Sequence, residues 1–471
     1  MNPMKLSYHT LQKSLVVPFI SILLGAGTPV KAATALEEYV RKPDPAYHYD
    51  LVKTLRGEGF TQYVLEMTSQ TWLKPEEVDR TLWKHWVRIV KPDRVEHETG
   101  LLIIGGGANG GKAPSEIDKR AAGMALETHS VITELGMVPN QPLRFAGDDE
   151  NRKEDALIAF GWNKFLHGGR AEWLARLPMT KSAVRAMDTV TDFLGKAEQG
   201  GVTVDKFVVA GGSKRGWTTW TTGAVDDRVV AIVPIVIDML NMVPSFEHHY
   251  RTYGFFAPAV GDYESMGIMN WQRTPEYRRL LEIVEPFEYR SQLTKPKFLI
   301  NASGDQFFVP DSGQFYWSEL SGEKHVRYVP NADHGLNDSD AVESLVAFYH
   351  SILTDHPRPN FDWQIGNDGS LSVNANDVPK QVLLWQASNP DARDFRMETL
   401  GPVWKSQPVV RGANGKYEAH VSKPAKGFTA FFMELTYPGP GHYPLKFTTQ
   451  VKVMPDVYQH PAFVPKSVSE K

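Results

Sequence analysis

Between residues 101 and 353 short apolar runs alternate with helix-patterned stretches, and several of the runs stop at glycine-rich turns. No other feature constrains the fold as much. Strands separated by whole helices cannot pair as hairpins. They must cross over and lie parallel, in a sheet covered on both faces. Runs at 101–104, 138–145, 206–210, 229–237, 297–301 and 325–329 read as strands, preceded by longer alternating ones at 61–73 and 83–90. Helical spacing appears at 115–135, 154–166, 180–199, 214–223 and 339–353. The rhythm breaks at about 239–292, an aromatic-rich insertion that reads as a cap over the sheet edge. After 355–360 (DHPRPN) the helical pattern ends. Six or seven short strands then predict a small β-sandwich over 361–460.

The first 32 residues differ from the rest. Two lysines, a short apolar stretch (LVVPFISILL) and a run of small residues have the layout of a secretory signal. The apolar stretch is shorter than the roughly 20 residues a bilayer span needs. Cleavage after Ala32 removes Lys5, Lys13 and Lys31 and no acid, which moves the formal charge from −4 to −7. An acidic surface argues against nucleic acid as the main partner. The chain has no cysteine, so disulfides, thiolate metal sites and a cysteine nucleophile are excluded. The expectation is an exported protein, periplasmic or extracellular, with no integral span.

Two glycine-rich stretches bear on chemistry. In LLIIGGGANGGKAPS (101–115), Gly106, Gly111 and Lys112 fit most of a phosphate-binding loop, but Ala113 stands where a metal-binding Ser or Thr belongs. An exported protein also meets little nucleotide. In KFVVAGGSKRGWTTW (206–220), a strand runs through Gly211 to Ser213 and into a helix, the setting of a nucleophile elbow. Arg215 occupies the position two after the serine where glycine is usual, and Gly216 follows one later.

A serine nucleophile needs an imidazole base and an acid to orient it. Downstream, Asp305 follows the strand at 297–301 and His334 follows the strand at 325–329. In a parallel sheet the loops after successive strands share one edge, so Ser213, Asp305 and His334 are expected to converge there. Asp238, also at a strand end, is an alternative acid; Asp333 is another, although its adjacency to His334 makes good hydrogen-bond geometry harder. The opening loop then gains a role: the amides of Gly106 and Gly107, with that of Lys214, form an oxyanion hole. Trp217, His249, Tyr250 and Tyr253 are the candidate substrate contacts. No metal ligand cluster accompanies the adjacent His248 and His249, and no cofactor is expected.

With GGGANGG, EDALIAFGWNKFL, GGSKRGWTTW, PIVIDMLN and NADHGL in view, the chain resembles the PhoPQ-activated pathogenicity-related protein family of exported bacterial proteins. The resemblance is strongest at GGSKRGW, and Arg215 belongs to that family's own pattern. It implies an α/β-hydrolase: a doubly wound, mainly parallel sheet with a cap insertion, over 33–355, followed by the β-sandwich. It also implies kinship with prolyl-oligopeptidase-type serine peptidases and a link to virulence and resistance to cationic peptides. The expected activity is hydrolysis of peptide or ester bonds, acting on a peptide or small acyl substrate. The alternative is a secreted binding or signalling protein that keeps the fold without catalysis.

Overall fold

A computed structural model describes residue 1 and residues 33–468; the signal-like segment 1–32 lies outside the described residues, apart from Met1. Nine strands form the central sheet: β1 (His48–Gly57), β2 (Phe60–Thr71), β3 (Leu82–Pro92), β4 (Thr99–Ile104), β5 (Ile132–Leu135), β6 (Lys206–Gly212), β7 (Val229–Ile235), β8 (Lys297–Ala302) and β9 (Lys324–Val329), in the order β1-β2-β3-β5-β4-β6-β7-β8-β9. The six strands from β5 to β9 in this order run parallel, and β1–β3 form an antiparallel flank. Helices α1 (Ala35–Arg41), α2 (Lys119–Thr128), α3 (Glu154–Leu166), α4 (Arg176–Gly195), α5 (Lys214–Val225), α6 (Met242–Tyr253), α7 (Gly261–Ser265), α8 (Pro275–Val284) and α9 (Ala341–Leu353) complete the α/β part. The chain is mixed α/β with a large, mostly parallel sheet.

The central strands read easily because both their faces are buried, so they are apolar throughout; every residue of β8 is buried. By contrast β1 (HYDLVKTLRG) escapes a sequence reading. It is an edge strand with most of its side chains exposed, and its charges serve to blunt that edge. The helix expected over 115–135 is shorter. Asp118 caps α2 by accepting from the amides of Arg120 and Ala121, and His129 at φ 47° ends it. The β-branched run that follows becomes β5. The strand expected at 138–145 is not formed. Pro139 and Pro142 lack the N–H groups a ladder needs, and the segment instead forms a loop beside the sheet edge.

Between β7 and β8 the inserted segment folds as α6, α7, α8 and short 3₁₀ turns. Beyond residue 360 come two antiparallel sheets. One holds β10 (Phe361–Ile365), β11 (Ser370–Ala375) and β14 (Tyr417–His420). The other holds β12 (Gln381–Asn389), β13 (Lys405–Pro408), β15 (Phe428–Tyr437), β16 (Leu445–Thr448) and β17 (Lys452–Met454). The tail shares core with the α/β part: Phe431, Met433 and Phe447 cluster with Phe298 and Phe348. It also covers the exposed edge of β9, where Thr448 Oγ1 accepts from the Tyr328 amide at 3.1 Å.

Candidate active site

Ile104 pairs with Gly211 across β4 and β6, so the glycine loop leaves the sheet beside the turn that carries Ser213. Ser213 has φ 58° and ψ −126°, a backbone conformation that L residues rarely hold. Its amide donates to Ile235 O at 2.8 Å, and α5 begins at the next residue. This is the strand–turn–helix geometry that a nucleophile elbow requires. The displaced glycine has a structural reason. A Cβ on Gly216 would lie 2.8 Å from Ile235 O, so Gly216 is the residue that lets helix and strand approach.

Arg215 turns the other way and clamps the surrounding loops. Its Nε donates to Val138 O at 2.5 Å, and its Nη1 and Nη2 donate to the Glu154 carboxylate at 2.8 and 2.7 Å. Glu154 also meets Lys214 Nζ at 3.0 Å and accepts from Gln141 Nε2 at 2.5 Å. Burial alone would raise the Glu154 pKa. The facing Arg215 and Lys214 charges outweigh it and hold the carboxyl at about 2. Gly106 packs directly on this clamp, since a Cβ there would sit 2.7 Å from Arg215 Nη2.

Loop carbonyls turn away from the elbow. Gly106 O accepts from the Met137 amide at 2.7 Å and Gly107 O from Gln141 Nε2 at 3.1 Å. The amides of Gly106 and Gly107 donate to no protein acceptor among the described residues. The phosphate-loop alternative fits poorly. Lys112 is exposed, and α2 does not begin until Lys119.

At the ends of β8 and β9, the structure brings Asp305 and His334 together. His334 Nδ1 lies 2.8 Å from Asp305 Oδ2, and Asp305 Oδ1 accepts from the Phe307 amide at 2.7 Å. A proton on Nδ1 satisfies this contact, which leaves the Nε2 lone pair free. Nε2 is buried without a protein partner. Phe307 packs against the imidazole with its ring tilted, at a centroid distance of 4.2 Å. Phe307 and Ser213 line the same cavity. Asp238 is otherwise engaged: Tyr316 and Tyr328 both donate to it, and burial pushes its pKa up to about 7.

The cavity holds about 40 Å³ of free space and is walled mainly by Trp162, Trp217, Met239, Met242, Phe246 and Tyr263, with Arg176 and Asp155 among the polar lining. Of the four candidate contacts, Trp217 lines it. His249, Tyr250 and Tyr253 do not. His249 and Tyr253 continue the stripe of Met242 and Phe246 along α6, but each residue climbs about 1.5 Å and carries them past the cavity. His249 Nε2 accepts from the Ala257 amide at 2.9 Å, Tyr253 is buried against Ala257 and Val309, and Tyr250 packs on Phe256 and Phe463.

The tail supports the loops that carry Asp305 and His334 in a way the sequence did not signal. The Met397 amide donates to Gly304 O at 2.8 Å, and Asn331 Nδ2 donates to Trp404 O at 2.9 Å. Arg393 Nη2 donates to Asp311 at 2.5 Å, and His248 Nε2 lies 2.9 Å from the same carboxylate. Glu154 and Arg176 were also missed. Arg215 standing in place of glycine was the one available hint that an acid must face it.

Comparison with known proteins places the chain further. The family model described as PhoPQ-activated pathogenicity-related protein matches residues 36–396. Autocrine proliferation repressor protein A of Dictyostelium discoideum is 40% identical over 454 residues, covering 90% of this chain and 91% of that protein. Among solved structures, an acetyl xylan esterase from Paenibacillus sp. R4 superposes with a TM-score of 0.45 at 13% identity, over 68% of this chain and 91% of its own. An acylaminoacyl peptidase from Pyrococcus horikoshii gives 0.41 at 11% identity, over 67% and 51%.

Proposed function

Since the chain belongs to the PhoPQ-activated pathogenicity-related protein family, and holds a strained serine lining an apolar cavity whose wall residues Phe307 and Phe308 pack against an Asp-paired histidine, we propose that it is a serine hydrolase. Ser213 is the nucleophile. His334 Nε2 takes its proton as Oγ attacks the substrate carbonyl, and later gives that proton to the leaving group. Asp305 holds the imidazole in the required tautomer and stabilises the imidazolium. The amides of Gly106 and Gly107, with that of Lys214 at the start of α5, meet the developing oxyanion. Water then releases the acyl group by the same route in reverse. Peptide and ester substrates both suit this chemistry. We further propose that the protein is exported and that its 33–355 and 361–460 segments act as hydrolase core and supporting sandwich. A part in virulence or cationic-peptide resistance belongs to the same proposal.

The observation that carries this reading is the His334–Asp305 contact at 2.8 Å with Nε2 left unpartnered beside the elbow serine's cavity. The test is a screen of the mature protein against short peptide and acyl-ester substrates. Turnover that disappears in Ser213→Ala supports the assignment; turnover that survives it removes Ser213 from the mechanism. A second reading has its own support. The Dictyostelium relative carries the name of an autocrine proliferation repressor, which fits a secreted signalling protein that keeps the fold. A Ser213→Ala protein that retained full effect on proliferation of responsive cells would favour it.

A further inference from the structure

Beside Ser213 the cavity wall carries a cation that the proposed mechanism does not use. Arg176 is the first residue of α4, is 3% exposed and lines the cavity with Ser213, Lys214 and Trp217. Its guanidinium stacks over the Trp217 ring at 4.4 Å. Its Nη1 donates to Lys214 O at 2.8 Å, Tyr263 also faces the guanidinium, and the buried Nε has no partner.

The nearby acids are already committed elsewhere. Glu154 pairs with Arg215 and Lys214, while Asp155 pairs with Lys214 Nζ at 2.9 Å and accepts from Tyr263 Oη at 3.1 Å. Among the described residues no carboxylate forms an ion pair with Arg176. Beside this wall the ion pairs join Lys214 and Arg215 to Glu154 and Asp155, with Asp262 facing Lys214 from farther off, and leave Arg176 outside them. Arg176 sits at the N-terminal end of a 20-residue helix that has no acid in its first turn. A cation at that end works against the helix dipole. Burial also pulls the guanidinium's pKa below the usual arginine value. Asp155 favours this charge only from beyond ion-pair distance; a buried charge without a directly paired partner is costly, and an arriving anion reduces that cost.

We propose that Arg176 receives a carboxylate of the substrate, so that the enzyme selects small acyl compounds or peptides carrying a negative charge close to the scissile carbonyl. This rests on the serine-hydrolase reading and names the substrate class of that site. The guanidinium fork suits a carboxylate's two oxygens. About 40 Å³ of free space is enough for a group the size of a carboxylate. The apolar walls strengthen the pairing by excluding water.

Two matched pairs test it. The charge is carried on the acyl side by 4-nitrophenyl hydrogen glutarate, against 4-nitrophenyl valerate. On the leaving side it is carried by 3-acetoxybenzoate, against 3-acetoxybenzamide. The expected result is at least a 30-fold advantage in kcat/KM for the charged member of one pair, which identifies the side. In Arg176→Met that ratio falls toward one. In Arg176→Lys, which covers a failure of the methionine variant to fold, the ratio falls by about tenfold. No charge preference in either pair overturns the proposal, as does an equal loss on charged and neutral esters, the mark of a brace acting through Lys214. A binding arm is independent of turnover: glutarate should raise the melting temperature of wild type and Ser213→Ala but not of Arg176→Met. If neither these esters nor the short peptides of the screen are cleaved but this Arg176-dependent shift appears, the anion site stands and the hydrolase reading fails. No shift, or one kept in Arg176→Met, overturns the site.

Discussion

Replacing Gly106 by alanine probes the junction between the loop proposed to form the oxyanion hole and the turn that carries Ser213. The new methyl would lie 2.7 Å from Arg215 Nη2 and 3.1 Å from its Cζ, against ordinary contact from 3.4 Å outward. An unrestrained arginine would swing aside. This one is held by Val138 O and by both oxygens of Glu154. The loop must therefore shift by about 0.7 Å, or the clamp must break. A shift of that size moves the loop amides off the oxyanion. Loss of one such donor costs about 10²–10³ in kcat, roughly 3–4 kcal/mol of transition-state stabilisation. Steady-state kinetics on the best ester from the screen should show kcat falling by about 10²-fold in Gly106→Ala. Arg215→Ala makes room for the methyl, so the double variant should lose less than the two single losses combined. A Gly106→Ala enzyme with unchanged kcat, or strictly additive losses, would refute the claim that this loop supplies the oxyanion hole against the Arg215 clamp.

Other expectations follow from the same geometry. Asp305→Asn should lower kcat by about 10⁴-fold, as expected for an acid that fixes a histidine tautomer, whereas Asp238→Asn should keep most of the activity; reversed outcomes would move the triad acid to Asp238. Asp238 has a folded-state pKa raised to about 7 by burial, so its contribution to stability is greatest below about pH 4 and falls as pH rises toward 7. The gain in melting temperature from Asp238→Asn should therefore be larger at pH 8 than at pH 5. Arg393→Met leaves the Asp311 carboxylate buried with only His248 and the Gln314 side-chain amide beside it; a loss of about 3–5 kcal/mol is expected in urea unfolding, and retention of wild-type stability would deny the tail its bracing role.

The parts of this molecule that were legible from sequence are those where local pattern and tertiary role coincide. Both-face burial made β4, β6 and β8 continuous apolar runs. Glycines and the chain order of Ser213, Asp305 and His334 marked loops that share one sheet edge. Elsewhere the pattern misled. Edge strand β1 is charged because it faces solvent, so it lacks a hydrophobic signature. The 138–145 run has a strand's apolar content, yet its prolines make it the loop that receives Arg215. Along α6, helical periodicity correctly groups Met242, Phe246, His249 and Tyr253, but it cannot tell where along the axis a cavity ends. The ion network of Glu154, Arg215 and Lys214 joins segments about sixty residues apart, and the Arg393–Asp311 pair spans 82. No local spacing encodes such contacts.

The central claim is that Ser213 is an activated nucleophile. The most direct test is treatment of the folded mature protein with a fluorophosphonate, followed by mass mapping of the modified peptide. The account predicts one adduct, on Ser213, absent in Ser213→Ala and formed far more slowly in His334→Ala. A well-folded wild-type protein that takes no label, or takes it on another residue, would contradict it.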